Sequence, residues 1–263
     1  MKVAVIGDNC IDLYERLGIQ YPTGNVVDTG VNLKKLGFDT SIISTTGNDY
    51  YGKWMMDTLR DEGLDISHLK VAEGMTAITY MDMKGLDRVH GDYVEGVLEN
   101  IIFDDDDIVF AANHDLVHTA LWGKAENVLP KIKALGATVS FDYADRLTHE
   151  LVESTLLYVD YGFYSYHKSR DSFIEDFLKD KVSRGMKIAI ATFGEKGSLA
   201  WDGKQFYEYG IFPSTVVNTV GAGDSFIAGF LFGILNQYTI DKALESGACL
   251  AAKVVSVFEP WVK

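Results

Sequence analysis

The amino-acid sequence predicts an α/β fold, in which parallel strands alternate with helices. Short apolar runs of strand length recur along the chain between stretches with helical spacing, an order that is typical of crossover connections. No linker rich in Pro, Gly or Ser and no internal repeat interrupts the 263 residues, of which 47% are hydrophobic, so we expect one main domain over residues 1–263 with a large core. The predicted strands are KVAVIG, TSIIST, AITYMDM, DLVHTAL, ATVSFD, YGFYS, KIAIATF and SLAWDG.

Three helices are predicted from apolar spacing and from the glycines that end them. The first covers residues 26–36 and stops at Gly37, and the second covers residues 51–62 and stops at Gly63, since glycine commonly follows the last helical residue. The third begins after the glycines of NTVGAGD and continues to Leu235. Its broad apolar face predicts a well-buried helix.

Two segments depart from this alternation, at residues of roughly 13–24 and 74–98. Both contain short strand-like runs, and the second has turn signals at Lys84-Gly85 and His90-Gly91. We expect the two segments to form a small β lid inserted in the main domain.

The acidic composition limits the classes of partner. The formal net charge is -14 and the isoelectric point is near 4.8, so the average surface potential repels nucleic acids and anionic membranes. The N-terminus enters a strand-like run, and no apolar run reaches the roughly 18 residues that span a bilayer; we expect neither a signal peptide nor an anchor. Cys10 and Cys249 have no disulfide or metal-ligand spacing, which predicts a cytoplasmic protein without a bound structural metal.

The stretch NTVGAGDSF carries the clearest chemical signal. Gly221, Ala222 and Gly223 allow ligand atoms to approach the backbone closely, and the helix that follows presents free N–H groups and the positive end of its dipole. Asp224 stands at the edge of that anion site, where a carboxylate accepts the proton of an attacking hydroxyl. The same residues also describe a tight turn with Asp224 as an ordinary N-cap, and the motif alone leaves both interpretations open.

GAGD at a helix start, late in the chain, resembles the signature of the ribokinase-like PfkB family of carbohydrate kinases. Other segments match in the family's order: GDNCID from Gly7, TGN from Thr23 leading to LKKLG, GNDYYG from Gly47 and TFGEKG from Thr192. Together these matches span nearly the whole chain. The resemblance implies a three-layer α/β/α domain with a mainly parallel central sheet and a small β lid. It also implies an enzyme that uses ATP and Mg²⁺ to phosphorylate a sugar hydroxyl.

The resemblance further implies roles for individual residues. Asp224 corresponds to the catalytic base, and the GAG residues before it correspond to the anion hole for the transferred phosphoryl group. The helix that starts at TGN corresponds to the helix beneath the sugar. The implied ATP-binding residues are Thr192, Gly194, Lys196 and Gly197, and the implied sugar-binding residues are Asp12, Gly24, Asn25 and Asp28.

The segment GNDYYGKW also nearly matches a Walker A loop. That motif needs Ser or Thr after GxxxxGK to bind magnesium, and here the position is Trp54. We therefore reject a Walker A loop.

Within the family, four segments most resemble the kinases of fructoselysine, a glycated lysine: DRVHGDYVEGV, ALWGKAE, FDYADR and TFGEKGSLAWDG. Such an acceptor carries ammonium and carboxylate groups as well as a sugar, so a specific site should offer acids and a base. Arg88, Asp92 and Glu95 in the predicted lid have these types. The alternative for these residues is a solvated β-ribbon with alternating charges.

Several positions depart from the family pattern. Asn218 stands where relatives often have an Asp associated with a monovalent cation, which leaves potassium dependence open. Thr23 and Asp28 replace a glycine and an asparagine of the family's GGNxxN sequence, and Asp28 adds a negative charge that can bind hydroxyls or a cationic group. Ser165 and Lys168 occupy the places of the NxxE residues that order magnesium in relatives, so the metal would be held mainly by ATP phosphates and water.

Three other functions remain open. The first is a kinase of the same family with another acceptor, such as fructose, a keto-sugar acid or a nucleoside. The second is a sugar or nucleotide sensor without catalysis, suggested by the missing NxxE glutamate. The third is an ATP-independent binding module with structural glycines. Because a small β lid leaves edges to cover and relatives often pair their lids, we expect a homodimer through the lids.

Overall fold

The structure is a computed structural model that describes residues 1–84 and 87–263. The strands in these residues are β1 (Lys2–Ile6), β2 (Cys10–Tyr14), β3 (Ile19–Thr23), β4 (Asp39–Gly47), β5 (Asp65–Ala72), β6 (Ile78–Lys84), β7 (Asp87–Val94), β8 (Leu116–Ala120), β9 (Val139–Asp142), β10 (Tyr161–Ser165), β11 (Ile188–Thr192), β12 (Ser198–Trp201) and β13 (Phe206–Tyr209). The helices are α1 (Asn25–Lys35), α2 (Tyr50–Asp61), α3 (Asp105–Ala112), α4 (Leu129–Ala134), α5 (Glu150–Thr155), α6 (Ser172–Ser183), α7 (Ala222–Leu235) and α8 (Ile240–Val254).

The main sheet has nine strands in the order β13-β12-β11-β10-β9-β8-β1-β4-β5. Its pairs are parallel except at one edge, where β12 pairs antiparallel with β11 and with β13. This topology confirms the predicted α/β class, and every predicted run forms a strand. β5 and β13 were missed because they are the two edges of the sheet, where residues alternate or stay partly exposed and no continuous apolar run is needed.

The predicted helices are confirmed as well. α1 and α2 lie within one residue of their predicted bounds, and α7 ends at the predicted Leu235 but starts earlier, at Ala222. Most residues of α7 are buried, as its broad apolar face predicts.

Helices cover both faces of the main sheet and make the three layers. Successive residues of a strand point to opposite faces, and β1 illustrates the result. Val3 and Val5 pack in the clusters that contain α1, α2, α7 and α8, whereas Ala4 and Ile6 pack in the cluster that contains α3 to α6. In the described part of the chain, no helix is long and apolar enough to cross a bilayer.

A second sheet has four strands in the order β3-β2-β6-β7, with β2 and β6 parallel and the other pairs antiparallel. The predicted turn at His90-Gly91 is wrong, because both residues lie within β7. There the register against β6 shifts, and a Cβ on Gly91 would lie 2.9 Å from the carbonyl oxygen of Tyr80. The glycine marks a bulge with close backbone approach, not a turn. The other predicted turn includes Gly85, which lies outside the described residues.

Candidate active site

The predicted functional residues lie mainly at the carboxyl ends of the parallel strands and at the N-termini of two helices. Thr192 ends β11, while Asn25 and Ala222 begin α1 and α7. Ligands of open α/β sheets bind at the carboxyl ends of the strands. The fold therefore brings residues that are distant in sequence to this end of the main sheet.

The turn before α7, which we call the glycine turn, requires glycine at the N-cap of the helix. Gly221 has a φ of 68°, and a Cβ there would lie 2.5 Å from the carbonyl oxygen of Pro260, so both the backbone angle and the space require glycine. Ala222 and Gly223 open a helix whose first amides have no partners within the helix. Asp224 is the third residue of α7 and Gly221 is the N-cap, so the interpretation of Asp224 as an N-cap is wrong.

Asp224 contacts the helix expected to lie under the sugar. Its Oδ1 accepts a hydrogen bond from Nδ2 of Asn25 at 3.4 Å. Loss of solvation raises the pKa of Asp224 above its usual range; the charge of Asp142 raises it further, that of Arg88 opposes the shift, and that of Asp8 adds to it. A raised pKa makes a carboxylate a stronger proton acceptor near neutral pH.

The first turn of α1 places a second carboxylate near Asp224. Asp28 is buried and accepts hydrogen bonds from Oγ1 of Thr23 at 3.0 and 2.8 Å. Burial raises the pKa of Asp28, and the charges of Asp224 and Asp12 raise it further. The two departures from the family's GGNxxN sequence are thus one hydrogen-bonded pair, a link that the sequence did not reveal.

The start of α1 is fixed by Asp8, which was not predicted as a site residue. The backbone N–H of Asn25 donates to Oδ2 of Asp8 at 2.8 Å, while Oδ1 of Asp8 is buried and has no hydrogen-bond partner among the described residues. Gly24 has a φ of 140°, and a Cβ there would lie 2.9 Å from the carbonyl oxygen of Asp8. An acid directly after the buried run KVAVIG is the signal that could have identified Asp8.

Asp142 is a second acid that sequence reasoning missed. It is the last residue of β9 and accepts the backbone N–H of Ala144 at 2.9 Å. Burial raises the pKa of Asp142 to about 6, and the charges of Asp8 and Asp145 contribute to the rise. Its position after the apolar run ATVSF is the corresponding signal.

The second sheet contributes Asp12 and Arg88. Asp12 in β2 is only 5% exposed, and burial raises its pKa to about 7 against the opposing effects of the Arg88 charge and a hydrogen bond with Thr79. The Arg88 charge also opposes the rise in the pKa of Asp224. The charge of Arg88 therefore acts on two acids of its own chain.

The other two predicted lid residues are a carboxylate with a lysine partner and an exposed carboxylate. Glu95 is paired with Lys124, whose Nζ lies 2.5 Å from Oε2 of Glu95 and also donates to the carbonyl oxygen of Glu99 at 3.3 Å. Asp92 lies on β7 and is exposed. Within the described residues, Glu95 already has a cationic partner and Asp92 is open to solvent.

The predicted nucleotide turn borders a cavity of about 260 Å³. Gly197 has a φ of 94°, and a Cβ there would lie 2.2 Å from the carbonyl oxygen of Tyr209, so the turn requires glycine. Ser165, one of the NxxE departures, shares this cavity with the turn, whereas Lys168 is exposed beyond β10. The cavity is lined by Ser165, Tyr166, His167, Phe193, Gly194, Glu195 and Lys196.

Asn218 is fully buried just before the glycine turn. Its Nδ2 donates to the carbonyl oxygen of Phe258 at 2.9 Å, and its Oδ1 accepts the backbone N–H of Val220 at 3.1 Å. An ionised aspartate could make only the second of these hydrogen bonds.

Residues 20–260 match the pfkB family of carbohydrate kinases, so the chain belongs to this family. It is an ATP-dependent carbohydrate kinase. Over 259 residues the chain is 38% identical to fructoselysine 6-kinase of Escherichia coli, with 98% of this chain and 99% of the relative covered. It is 32% identical over 263 residues to the fructosamine kinase FrlD of Bacillus subtilis, with 98% and 92% covered.

Solved structures share the fold at low sequence identity. Adenosine kinase from Sinorhizobium meliloti superposes with a TM-score of 0.85 at 19% identity, covering 99% of this chain and 95% of that one. Ribokinase from Arabidopsis thaliana, in a complex with ribose and ATP, superposes with a TM-score of 0.83 at 19% identity, covering 98% and 93%. These comparisons confirm the predicted ribokinase-like architecture.

Proposed function

We propose that this kinase transfers the γ-phosphoryl group of ATP to the 6-hydroxyl of fructoselysine, giving fructoselysine 6-phosphate. The observation that carries the proposal is the contact between Asp224 and Asn25. This contact joins the N-terminus of α7, where phosphate is expected, to the helix expected under the sugar. The identity to fructoselysine 6-kinase and to FrlD supports the choice of acceptor.

Asp224 accepts the proton of the attacking hydroxyl, and the backbone amides at Gly221, Ala222 and Gly223 stabilise the charge of the transferred group. The raised pKa of Asp224 supports its role as the base. The proposed sugar contacts are Asp12, Gly24, Asn25 and Asp28, and the proposed ATP contacts are Thr192, Gly194, Lys196 and Gly197.

The acids around the acceptor position support a cationic acceptor. Burial and the charge of Asp224 raise the pKa of Asp28, and the charges of Asp12 and Asp8 add to the rise. The charge of Arg88 opposes the rise at Asp12 and Asp224. Buried carboxylates are costly without counter-charges. A neutral sugar supplies no positive charge, whereas a glycated amine supplies an ammonium group, and Arg88 can pair with a carboxylate. Asp92 and Glu95 are proposed to contact the amino-acid part of the acceptor when the lid closes.

The residues present fit magnesium bound through its water shell. When bound to ATP, Mg²⁺ neutralises charge on the β- and γ-phosphates. Within residues 1–84 and 87–263 one carboxylate oxygen of Asp8 has no partner, and Asp142 ends the strand next to β10. Carboxylates of this kind accept hydrogen bonds from metal-bound water. These two acids are proposed to take over part of the role of the absent NxxE glutamate.

Potassium is proposed to be unnecessary. The hydrogen bonds of Asn218 to Phe258 and Val220 support a loop that is held without a bound cation. The test is turnover in buffers whose only monovalent cation is potassium or choline. Equal rates support the proposal, and a rate that requires potassium contradicts it.

The direct test of the function is an acceptor panel. Purified protein is incubated with Mg-ATP and fructoselysine, fructose, a keto-sugar acid or a nucleoside, and the product is identified by mass spectrometry and NMR. We expect a phosphate on O6 of fructoselysine, and no product with Asp224→Ala. Turnover on a different acceptor alone would indicate another kinase of the family. A rise in melting temperature with ATP but no turnover would indicate a sensor, and no rise at all would indicate a binding module.

We also propose a cytosolic homodimer joined through the lid sheets. β3 and β7 are the edges of the second sheet, and on β7 the side chains of Val89 and Tyr93 are 43% and 41% exposed. Edge strands with exposed apolar residues are covered in most proteins. The free thiols Cys10 and Cys249 support a reducing compartment. Light scattering should give the mass of a dimer, and a monomeric mass would contradict the proposal.

A further inference from the structure

The segment that follows α8 contacts three separate parts of the active site. We name residues 255–261 the C-terminal strap. The strap begins with two hydrogen bonds to the residues that precede the glycine turn. The N–H groups of Val217 and Asn218 donate to the carbonyl oxygen of Val255 at 2.8 and 3.3 Å. The strap ends at Trp261, which is buried among residues of α1 and α2 and donates from Nε1 to Oε1 of Glu62 at 3.0 Å. Both ends of the strap are therefore anchored.

Between these anchors, Phe258 packs against the second sheet. Its ring lies 5.3 Å from that of Tyr14 on β2 and 6.3 Å from that of Tyr21 on β3, in edge-on contacts. The hydroxyl of Tyr21 donates to that of Tyr14 at 3.2 Å, and both rings are buried. Val220, one residue before the glycine turn, belongs to the same apolar cluster. Phe258 thus lies between the sheet expected to act as the lid and the loop expected to bind phosphate.

The backbone of Phe258 is tied to the same loop. Its carbonyl oxygen accepts the hydrogen bond from Nδ2 of Asn218, and Oδ1 of Asn218 accepts the N–H of Val220. Asn218 is fully buried, and a buried amide with both ends bonded resists displacement because each unpaired group would cost desolvation energy. Asn218 therefore connects the backbone of Phe258 to that of Val220.

The strap also fixes the glycine turn and α1 relative to each other. The Pro260 backbone closes the space behind Gly221, where no Cβ fits. The carbonyl oxygen of Pro260 also accepts a hydrogen bond from Nδ2 of Asn32 at 3.5 Å, and the same Nδ2 donates to the carbonyl oxygen of Asp28 at 2.8 Å. The C-terminal strap therefore contacts the second sheet, the glycine turn and α1.

We infer that Phe258 and Asn218 form one positioning unit, which holds the glycine turn in a fixed position relative to the second sheet. Phosphoryl transfer is then fast only when this sheet closes over the acceptor. Neither residue contacts the reacting atoms. The inference rests on the proposed roles of Asp224 and the glycine turn. It adds a route by which the acceptor, through Asp12 on β2, affects the geometry at the other substrate.

The test is a double-mutant cycle on kcat. Phe258→Ala and Asn218→Ala should each lower kcat by about 10-fold. The double variant should be no slower than the slower single variant, because the first change removes the ring that packs on the second sheet and the second removes the amide that bonds the Phe258 backbone, and both belong to one chain of contacts. The KM for ATP should change by less than about 2-fold, since the nucleotide turn is untouched. Phe258→Leu keeps the apolar contact and should restore most of kcat. Acceptor-independent ATP hydrolysis should rise relative to sugar phosphorylation in the two alanine variants.

Phe232→Ala is the matched control. Phe232 is a partly buried aromatic residue of α7 that packs on Phe38 and Tyr238, about 15 Å along the helix from its start. This variant should lose stability but keep kcat. Independent effects that multiply to about 100-fold in the double variant, or an equal loss of kcat in the control, would overturn the inference.

Two readouts separate the possible failures. A wild-type protein that phosphorylates no acceptor defeats the proposed function before any variant is made. If the wild type is active but the two alanine changes leave its kcat unaffected, the proposed function stands and the inference fails. If the alanine variants do not fold, hydrogen exchange on the wild type replaces them. Binding of the acceptor alone should then slow exchange at the Val220 amide, and unchanged exchange there would count against the inference.

Discussion

The proposed acceptor side and the proposed nucleotide side of the active site differ in the groups that form them. The proposed acceptor side brings together the buried carboxylates of Asp12 and Asp28 and the half-buried carboxylate of Asp224, whose pKa values are raised mainly by loss of solvation. The proposed nucleotide side is the backbone turn that ends at Gly197, where no side chain fits, and Lys196 in this turn lines an open cavity. Ionised carboxylates on the proposed acceptor side are thus unfavourable until a cation or proton binds, whereas the proposed nucleotide side offers backbone donors and the positive charge of Lys196.

This difference indicates where chemistry and selectivity reside. Backbone amides bind any phosphate chain, so the nucleotide side distinguishes little beyond shape. Buried acids distinguish strongly by charge, because a ligand that leaves them unpaired forfeits their desolvation energy. We therefore expect changes on the acceptor side to alter the reaction and changes on the nucleotide side to alter mainly ATP affinity.

The largest effect is expected at the base. Asp224→Asn keeps the size of the side chain but cannot accept the proton, so kcat should fall by about 10³-fold. ATP should still raise the melting temperature, since the change leaves the turn at Gly197 and the cavity beside it intact. A kcat within about 10-fold of the wild type would remove Asp224 from the role of base.

The next effect is expected on the nucleotide side. Lys196→Ala should raise the KM for ATP by about 10-fold through loss of one charged contact, with the acceptor KM unchanged. Lys242→Ala, an exposed lysine on α8, is the control and should behave as the wild type. A larger fall in kcat than in ATP affinity would show that this side also takes part in the chemistry.

The acid limb of the pH–kcat profile should move in opposite directions in two variants. The base works deprotonated, so activity rises with pH through its pKa. The Asp142 charge raises the pKa of Asp224 and the Arg88 charge lowers it. Asp142→Asn should therefore move the limb to lower pH, and Arg88→Gln should move it to higher pH. Shifts in the same direction would argue that neither charge acts on the base.

The smallest effect is expected on stability. Folding raises the pKa of Asp28, so the folded state holds the proton more tightly than the unfolded state, and the stability cost grows as pH rises from the usual aspartate range through the raised value. Asp28→Asn removes this cost while keeping an acceptor for Thr23. The melting temperature should rise by about 2–4 °C at pH 8 and by less at pH 5. A loss of stability at pH 8 would show that the charge is already balanced.

The sequence predicted the architecture well because the main sheet is buried on both faces and its strands read as continuous apolar runs. It also predicted the glycine turn, since Gly221 is required by both backbone angle and space. The position of Asp8 and of Asp142 directly after buried apolar runs was an available signal, but it does not show which way each side chain points, and both acids were missed. The pairing of Thr23 with Asp28, and of Asn218 with Phe258, depends on contacts that no local pattern encodes.

The most direct test of the charge-based account is the ratio of kcat/KM for fructoselysine to kcat/KM for fructose, measured in the wild type and in Asp28→Asn. The two acceptors share the hydroxyls around O6, and only the first carries an ammonium group. We expect a wild-type ratio of about 100 or more and a smaller ratio in the variant. Equal values for the two acceptors, or a ratio that Asp28→Asn leaves unchanged, would contradict the claim that buried acids on the acceptor side select a cationic substrate.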